Sequence, residues 1–308
     1  MDGTQRLKVV GLGEILWDCF GTSRRPGGAP ANVAFHAEQL GCDGIVCSRV
    51  GADALGDELV GVVTGHGLEL RYIQRDSIHP TGTVTVDTTR ADHPTYTIHE
   101  NVAWDYIEFN ADWADLMASA SAVCFGTLAQ RSPASRATIH RCIAAARSAL
   151  IVYDVNLRQT WYERAWIERS LEAAHIVKLN IDEVAVLAPL LEIASSEPTA
   201  FARTLQDRHG VDTVCITQAE QGCRLVTPDG VWSIPGTPVD VVDSVGAGDA
   251  FTAAFIAARL WNWPAAARAA FANEVGAMVA SRAGAMPMVR EAYAQLRARV
   301  ARDTSIGS

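Results

Sequence analysis

Lysine is almost absent from this 308-residue chain: Lys8 and Lys178 are the only two among its 26 basic residues, and the rest are arginine. The skew reads as a matter of base composition rather than of function. No basic run occurs and the net charge is -9, so neither nucleic acid nor a membrane surface is expected as a main partner, because both require a concentrated positive field. No apolar stretch approaches the roughly 18 residues that a membrane span needs. The N-terminus also lacks a charged segment followed by an apolar core and a cleavage site, and the expected location is cytoplasmic. Seven cysteines (Cys19, Cys42, Cys47, Cys124, Cys142, Cys215 and Cys223) form no C-x-x-C pair. Their odd number and wide spacing read as reduced core thiols.

Familiar nucleotide and metal signatures are missing too. A dinucleotide fingerprint starting at Gly11 and Gly13 would need glycine at position 16, which is Leu16. A phosphate loop needs lysine directly after glycine, and neither Lys8 nor Lys178 qualifies. The zinc-hydrolase spacing H-E-x-x-H is absent, and the eight histidines are scattered.

What remains is an ordinary globular composition, 49% hydrophobic and 20% charged, which excludes wholesale disorder. Strand-like runs at Leu7 to Gly11, Ile45 to Val50, Ala122 to Phe125, Leu150 to Asp154, His175 to Leu179 and Thr213 to Thr217 alternate with helical spacing. The helical stretches are Ala31 to Leu40, Leu55 to Thr64, Pro133 to Ser148, Ile181 to Leu187 and Phe201 to Arg208. Such alternation predicts an α/β fold with a mainly parallel central sheet covered by helices on both faces. Three further helices are expected at Asp249 to Leu260, Pro264 to Arg282 and Val289 to Val300.

One region breaks the rhythm. Thr81 to Asp87 and Thr95 to His99 are β-rich, alternating and joined by a polar connection containing Asp92 and Pro94, which predicts an antiparallel hairpin. With Ile15 to Phe20 it can form a small sheet closing over a ligand. No linker or repeat is visible, so residues 1–308 are expected to form a single α/β domain whose lid comprises about 14–26 and 68–108.

Three short segments can carry chemistry. In Asp243-Ser244-Val245-Gly246-Ala247-Gly248-Asp249, a glycine pair enters a helix, where free backbone N–H groups and the helix dipole converge on one point and can hold an anion. Asp249 there is either a general base or simply a carboxylate complementing the dipole. Gly27-Gly28-Ala29-Pro30-Ala31-Asn32 is either a tight turn or a close-approach site, at which Asn32 offers a donor and an acceptor to a polyol. Asn180 and Glu183, three apart at a strand-to-helix junction, read equally as a capping box or as ligands of a hydrated magnesium ion.

Together, and in this order, these three segments resemble the hallmarks of the ribokinase-like (PfkB) carbohydrate kinases, with a likeness running from about residue 7 to 300. Asp18, the run Asp154-Val155-Asn156-Leu157-Arg158, and Asn273 with Gly276 are further echoes. The forms Gly-Gly-Ala-Pro-Ala-Asn, Phe125 to Ala129 and Tyr96 to Tyr106 resemble bacterial fructokinases most. There are departures: Ala219 stands where the family usually has a glycine, and Ser244-Val245 replaces the commoner Thr-x.

The resemblance implies a three-layer ribokinase-like fold and an ATP-dependent transfer of the γ-phosphoryl group to a sugar hydroxyl. Asp249 is the implied base, in a catalytic loop with Gly246, Ala247 and Gly248, where the amides of Ala247, Gly248 and Asp249 form the anion hole and Arg158 is a neutralising charge. Asp18, Gly28, Asn32, Tyr96 and Trp104 are the implied sugar contacts. Asn180, Glu183, Thr217, Gly222, Gly248 and Asn273 face the nucleotide, with Mg2+ held through water by Asn180 and Glu183 and a monovalent cation (K+) near Asp243. Fructose is the expected acceptor. Ribose, tagatose, 2-keto-3-deoxygluconate and a nucleoside are alternatives, as is a non-catalytic sugar-binding protein. A homodimer through the lid is expected by analogy.

Overall fold

Val9, Val10 and Leu12 are all fully buried, although successive side chains of a strand point to opposite faces. Only a strand covered on both sides satisfies that pattern. The computed structural model describes residues 6–87 and 95–306. Its elements begin with β1 (Lys8–Leu12), β2 (Leu16–Phe20), β3 (Ser23–Gly27), α1 (Ala29–Gln39), β4 (Asp43–Gly51), α2 (Ala54–Gly65), β5 (Ile73–Asp76), β6 (Thr83–Asp87) and β7 (Thr95–Ile98). The middle of the chain supplies α3 (Ala111–Ser119), β8 (Ala122–Phe125), α4 (Pro133–Ala145), β9 (Leu150–Asp154), α5 (Arg164–Ala173), β10 (Ile176–Asn180), α6 (Ile181–Leu190), α7 (Pro198–His209) and β11 (Thr213–Thr217). It ends with β12 (Cys223–Thr227), β13 (Gly230–Ile234), α8 (Ala247–Leu260), α9 (Ala265–Ala280) and α10 (Arg290–Ile306).

Nine strands form the large sheet in the order β13-β12-β11-β10-β9-β8-β1-β4-β5. Seven run parallel, and β12 and β13 add an antiparallel edge. One face packs on Trp113, Phe125, Tyr153 and Phe201, the other on Phe251, Phe255, Phe271 and Tyr293. Both layers bury large side chains, each worth about 1.5–3 kcal/mol when fully buried. All seven cysteines are free and all but Cys19 are buried, in keeping with core thiols. Among the described residues no helix is long and apolar enough to cross a membrane.

Local chemistry sets the helix starts. Asp53 accepts from Gly56 N at 2.8 Å and from Thr81 N and Oγ1 at 2.8 and 2.6 Å, which caps α2 and anchors the strand leading into β6. Pro198 opens α7, where its missing N–H costs nothing, and Gly210 ends that helix in a left-handed conformation.

The small sheet has the order β3-β2-β6-β7. β2 pairs antiparallel with β3 and parallel with β6, and β6–β7 is the expected hairpin. Its connection, with Asp92 and Pro94, lies outside the described residues. The stretch 68–76, expected in the lid, instead carries β5, which joins the large sheet beside β4. Ile73 is buried there with Leu59, Val63 and Leu68 beneath α2, and that contact outweighs the weak strand signal of its polar neighbours.

Candidate active site

At β1 the order in which the chain adds strands reverses: β4 lies on one side and β8, the first strand of the opposite half, on the other. Crevices at the carboxyl ends of strands at such a point are the usual ligand sites of open α/β sheets. Leu12 of β1 leads here into Gly13 and Glu14, while Asp154, Asn180 and Thr217 end β9, β10 and β11 at the same edge.

Gly246 caps α8 with φ of 79°, and a Cβ on it would lie 2.6 Å from Ala285 Cα. Only glycine turns the chain there. The amide of Ala247 makes a long turn bond to Ser244 O at 3.3 Å. Those of Gly248 and Asp249 have no hydrogen-bond partner among the described residues. Two free N–H groups at the positive end of a 14-residue helix make an anion cradle.

Asp249 is partly buried and accepts from Asn32 Nδ2 at 2.7 Å. Burial, then the charge of Asp154, raises its pKa to about 6, against the opposing influence of Asn32, Lys178 and Arg158. It is therefore ionised at neutral pH yet still basic enough to take a proton.

Beside it lies a carboxyl that sequence reasoning missed. Glu14 is 3% exposed, its Oε2 has no partner, and burial pushes its pKa up to about 7. A run of Gly-Leu-Gly-Glu after an apolar strand carries no obvious signal; the topology that folds it against Asp249 and Arg158 does. Asp18 of β2 is raised to about 6 by burial, with Arg158 opposing. Gly28 has φ of 108° and sits so close to Glu14 that a Cβ would lie 2.4 Å from its carbonyl oxygen. Asn32 is 4% exposed, and its Oδ1 is unpartnered. Glu14, Asp18 and Asn32 thus all interact with Asp249, two through its charge and one through a hydrogen bond.

On the sheet side, Asp154 accepts from Thr252 Oγ1 at 2.7 Å and from Lys178 Nζ at 3.2 and 3.4 Å. Burial alone would depress Lys178, but Asp154, Glu183 and Asp249 hold its pKa above the ordinary value. Asn180 and Glu183 form a reciprocal capping box on α6, with Glu183 N to Asn180 Oδ1 at 2.8 Å and Asn180 N to Glu183 Oε2 at 2.7 Å. Glu183 Oε1 also accepts from Leu157 N at 2.8 Å. Each oxygen keeps a second lone pair, and a few oxygen donors reached through water suit magnesium. Among the described residues no group of three or more His, Cys, Asp or Glu could hold a metal directly.

Farther along the edge, the turn after Thr217 keeps the shape of a glycine turn without its glycine. Ala219 has φ of 48°, and Gly222, with φ of 93°, lies against Ile234 O and Gly236 N. Asn273 Nδ2 donates to Pro235 O at 3.0 Å. A cavity of about 550 Å³ opens there, lined by Ile234, Pro235, Pro238, Ala267 and Ala270 among others. Its apolar walls suit a planar base.

Other expected residues land differently. Trp104 is fully buried, with the Arg131 guanidinium 4.0 Å above its ring and its Nε1 without a hydrogen-bond partner among the described residues. Arg131 holds Asp105 with two bonds of 2.8 Å. Tyr96 is exposed on β7, and Arg158 is exposed with its charge felt by Glu14, Asp18 and Asp249. Asp243 Oδ2 accepts from Arg25 Nη1 at 2.8 Å and from Gly284 N at 3.0 Å, and its Oδ1 from Val245 N at 3.1 Å. The carboxylate expected beside a monovalent cation already has a guanidinium partner, supplied by the small sheet.

The pfkB family carbohydrate kinase profile matches residues 7–292. The uncharacterized sugar kinase PH1459 of Pyrococcus horikoshii is 31% identical over 304 residues, spanning 92% of this chain and 93% of its own. Its crystal structure superimposes with a TM-score of 0.83 at 28% identity, covering 96% of this chain and 99% of that one, and it has also been solved in complex with ATP. A fructokinase of Klebsiella pneumoniae is 30% identical over 240 residues, or 75% of this chain and 76% of its own. An ATP-bound fructokinase of Xylella fastidiosa shares the fold, with a TM-score of 0.83 at 21% identity over 96% of this chain and 99% of that one. The chain belongs to the pfkB family of carbohydrate kinases, phosphotransferases that act on a sugar hydroxyl.

Proposed function

We propose that this protein is an ATP-dependent fructokinase, moving the γ-phosphoryl group of ATP to a hydroxyl of D-fructose. The observation that carries the reading is Asp249, a carboxylate with a pKa near 6 held beside two free amides at the start of α8. In this reading Asp249 takes the proton of the attacking hydroxyl, while the Gly248 and Asp249 amides hold the oxygens of the group in transit. Glu14, Asp18 and Asn32 bind the remaining hydroxyls and align the attacking oxygen. Arg158 offsets charge at the mouth of the cleft. Asn180 and Glu183 would hold magnesium through water, and magnesium would neutralise charge on the phosphate oxygens. In this reading the adenine would rest in the apolar cavity near Asn273. Closure of the small sheet excludes water that would otherwise compete as acceptor.

The sugar class follows from charge. Glu14, Asp18 and Asp249 surround the acceptor position, so a neutral polyol is favoured over a sugar acid such as 2-keto-3-deoxygluconate. Similarity to fructokinases supports fructose within that class. An ATP-coupled screen over fructose, ribose, tagatose, 2-keto-3-deoxygluconate and adenosine tests the assignment. Fructose should give the highest kcat/KM, and preference for the sugar acid or the nucleoside would overturn it. Turnover of any acceptor removes the reading of a non-catalytic sugar-binding protein.

A further inference from the structure

Lys178 stands out in a chain whose cations are otherwise almost all arginine. It is 8% exposed and lies on the face of β10 that looks toward α8. A Cβ placed on Gly248, the exposed second residue of α8, would lie 3.2 Å from Lys178 Nζ. The ammonium therefore borders the anion cradle.

Its one partner among the described residues is a poor match for its capacity. An ammonium carries three donors, and the hydrogen bonds of Lys178 among the described residues are the two to Asp154, at 3.2 and 3.4 Å. Charge-assisted bonds usually run about 2.7–2.9 Å. Asp154 makes its short bond, 2.7 Å, to Thr252 instead. A loose buried ion pair is weak evidence for a stabilising role, because desolvation of both charges offsets much of their attraction. The arrangement instead keeps one strongly hydrated point charge, with donors to spare, against the free amide of Gly248.

We propose that Lys178 is a catalytic residue, its ammonium hydrogen-bonding a non-bridging oxygen of the γ-phosphoryl group and following that group during transfer. This rests on the phosphoryl-transfer reading of the site given above. In the step, the bond between the sugar oxygen and the γ-phosphorus forms as the bond to the β–γ bridging oxygen breaks, leaving its electron pair on ADP. The hydroxyl proton goes to Asp249, and Lys178 stays protonated throughout. Asp154 is a positioning residue that aims the ammonium, and Thr252 in turn holds Asp154.

The test compares wild type, Lys178→Met and the double variant Lys178→Met with Asp154→Asn, which removes both charges and leaves no unpaired buried carboxylate. Kinetics use ATP and fructose; calorimetry measures ATP and ADP binding with Mg2+. The proposal expects kcat to fall at least 10²-fold with fructose KM within about threefold, in the range of losing one transition-state contact. ATP affinity should fall about tenfold or more while ADP affinity changes less than about threefold, in both variants, with melting of the double variant showing that it is folded. Near-normal kcat, or equal weakening of ATP and ADP, would overturn the proposal and leave Lys178 a structural partner of Asp154. If wild type does not phosphorylate fructose, the acceptor assignment fails, and the ATP-against-ADP split alone decides the role of Lys178.

Discussion

Asn32 donates its side-chain amide to Asp249 Oδ2 across 2.7 Å, and that bond ties the start of α1 to the first turn of α8. It fixes one carboxylate oxygen and lowers the affinity of the group for a proton. With a pKa of about 6, Asp249 is active only when ionised. The kcat/KM for the sugar, which reports the base before the sugar binds, should therefore rise with pH through about 6 and level off above it. Asn32→Leu, which removes the donor, should move that limb to higher pH, as read from kcat/KM profiles of both proteins. A limb that does not move would detach Asn32 from the base.

Glu14 makes a stability prediction with a definite sign. Burial raises its folded pKa to about 7 from the ordinary 4.5, so the native state binds more protons between those values. Stability is then greatest below about 4.5 as far as this group is concerned, and is lost as pH rises through about 7. The shift corresponds to roughly 3 kcal/mol, and Asp18 and Asp249 act in the same direction. Denaturant unfolding of Glu14→Gln at pH 5 and 7.5 should show a smaller loss across that interval than wild type. An equal loss would mean that Glu14 is ionised without penalty.

Ala219 occupies a left-handed conformation, φ of 48°, which costs a non-glycine residue roughly 1–2 kcal/mol. Ala219→Gly relieves that strain but gains unfolded-state freedom, leaving about 1 kcal/mol of stabilisation or somewhat less. Calorimetry should show a Tm higher by about 2 °C. A lower Tm would mean that the turn relaxes around alanine.

Most of the sheet could be read from the sequence because its parallel strands are buried on both faces and therefore appear as unbroken apolar runs. Leu150–Asp154 and Thr213–Thr217 have the expected ends. Four strands, β3, β5, β12 and β13, escaped notice, and all but β12 lie at sheet edges. β3 is Ser-Arg-Arg-Pro-Gly and mostly exposed, β5 has one apolar residue, and β13 needs no buried run because nothing pairs beyond it. Helices α3 and α5 also went unread. At the site, Asp249, Asn32, Gly28 and Asp18 carried motif signals. Glu14 and Lys178 did not, since their roles come from what the topology brings near them. Trp104, expected as a sugar contact, is fully buried, with Arg131 over its ring.

The central claim is that Asp249 is the base. Asp249→Asn keeps the shape and can still meet Asn32, but it cannot accept the proton. Its turnover with ATP and the preferred sugar should fall by about 10² to 10⁴, while calorimetry shows ATP bound about as tightly as before. Turnover within about threefold of wild type, in a folded variant that binds ATP, would contradict the account.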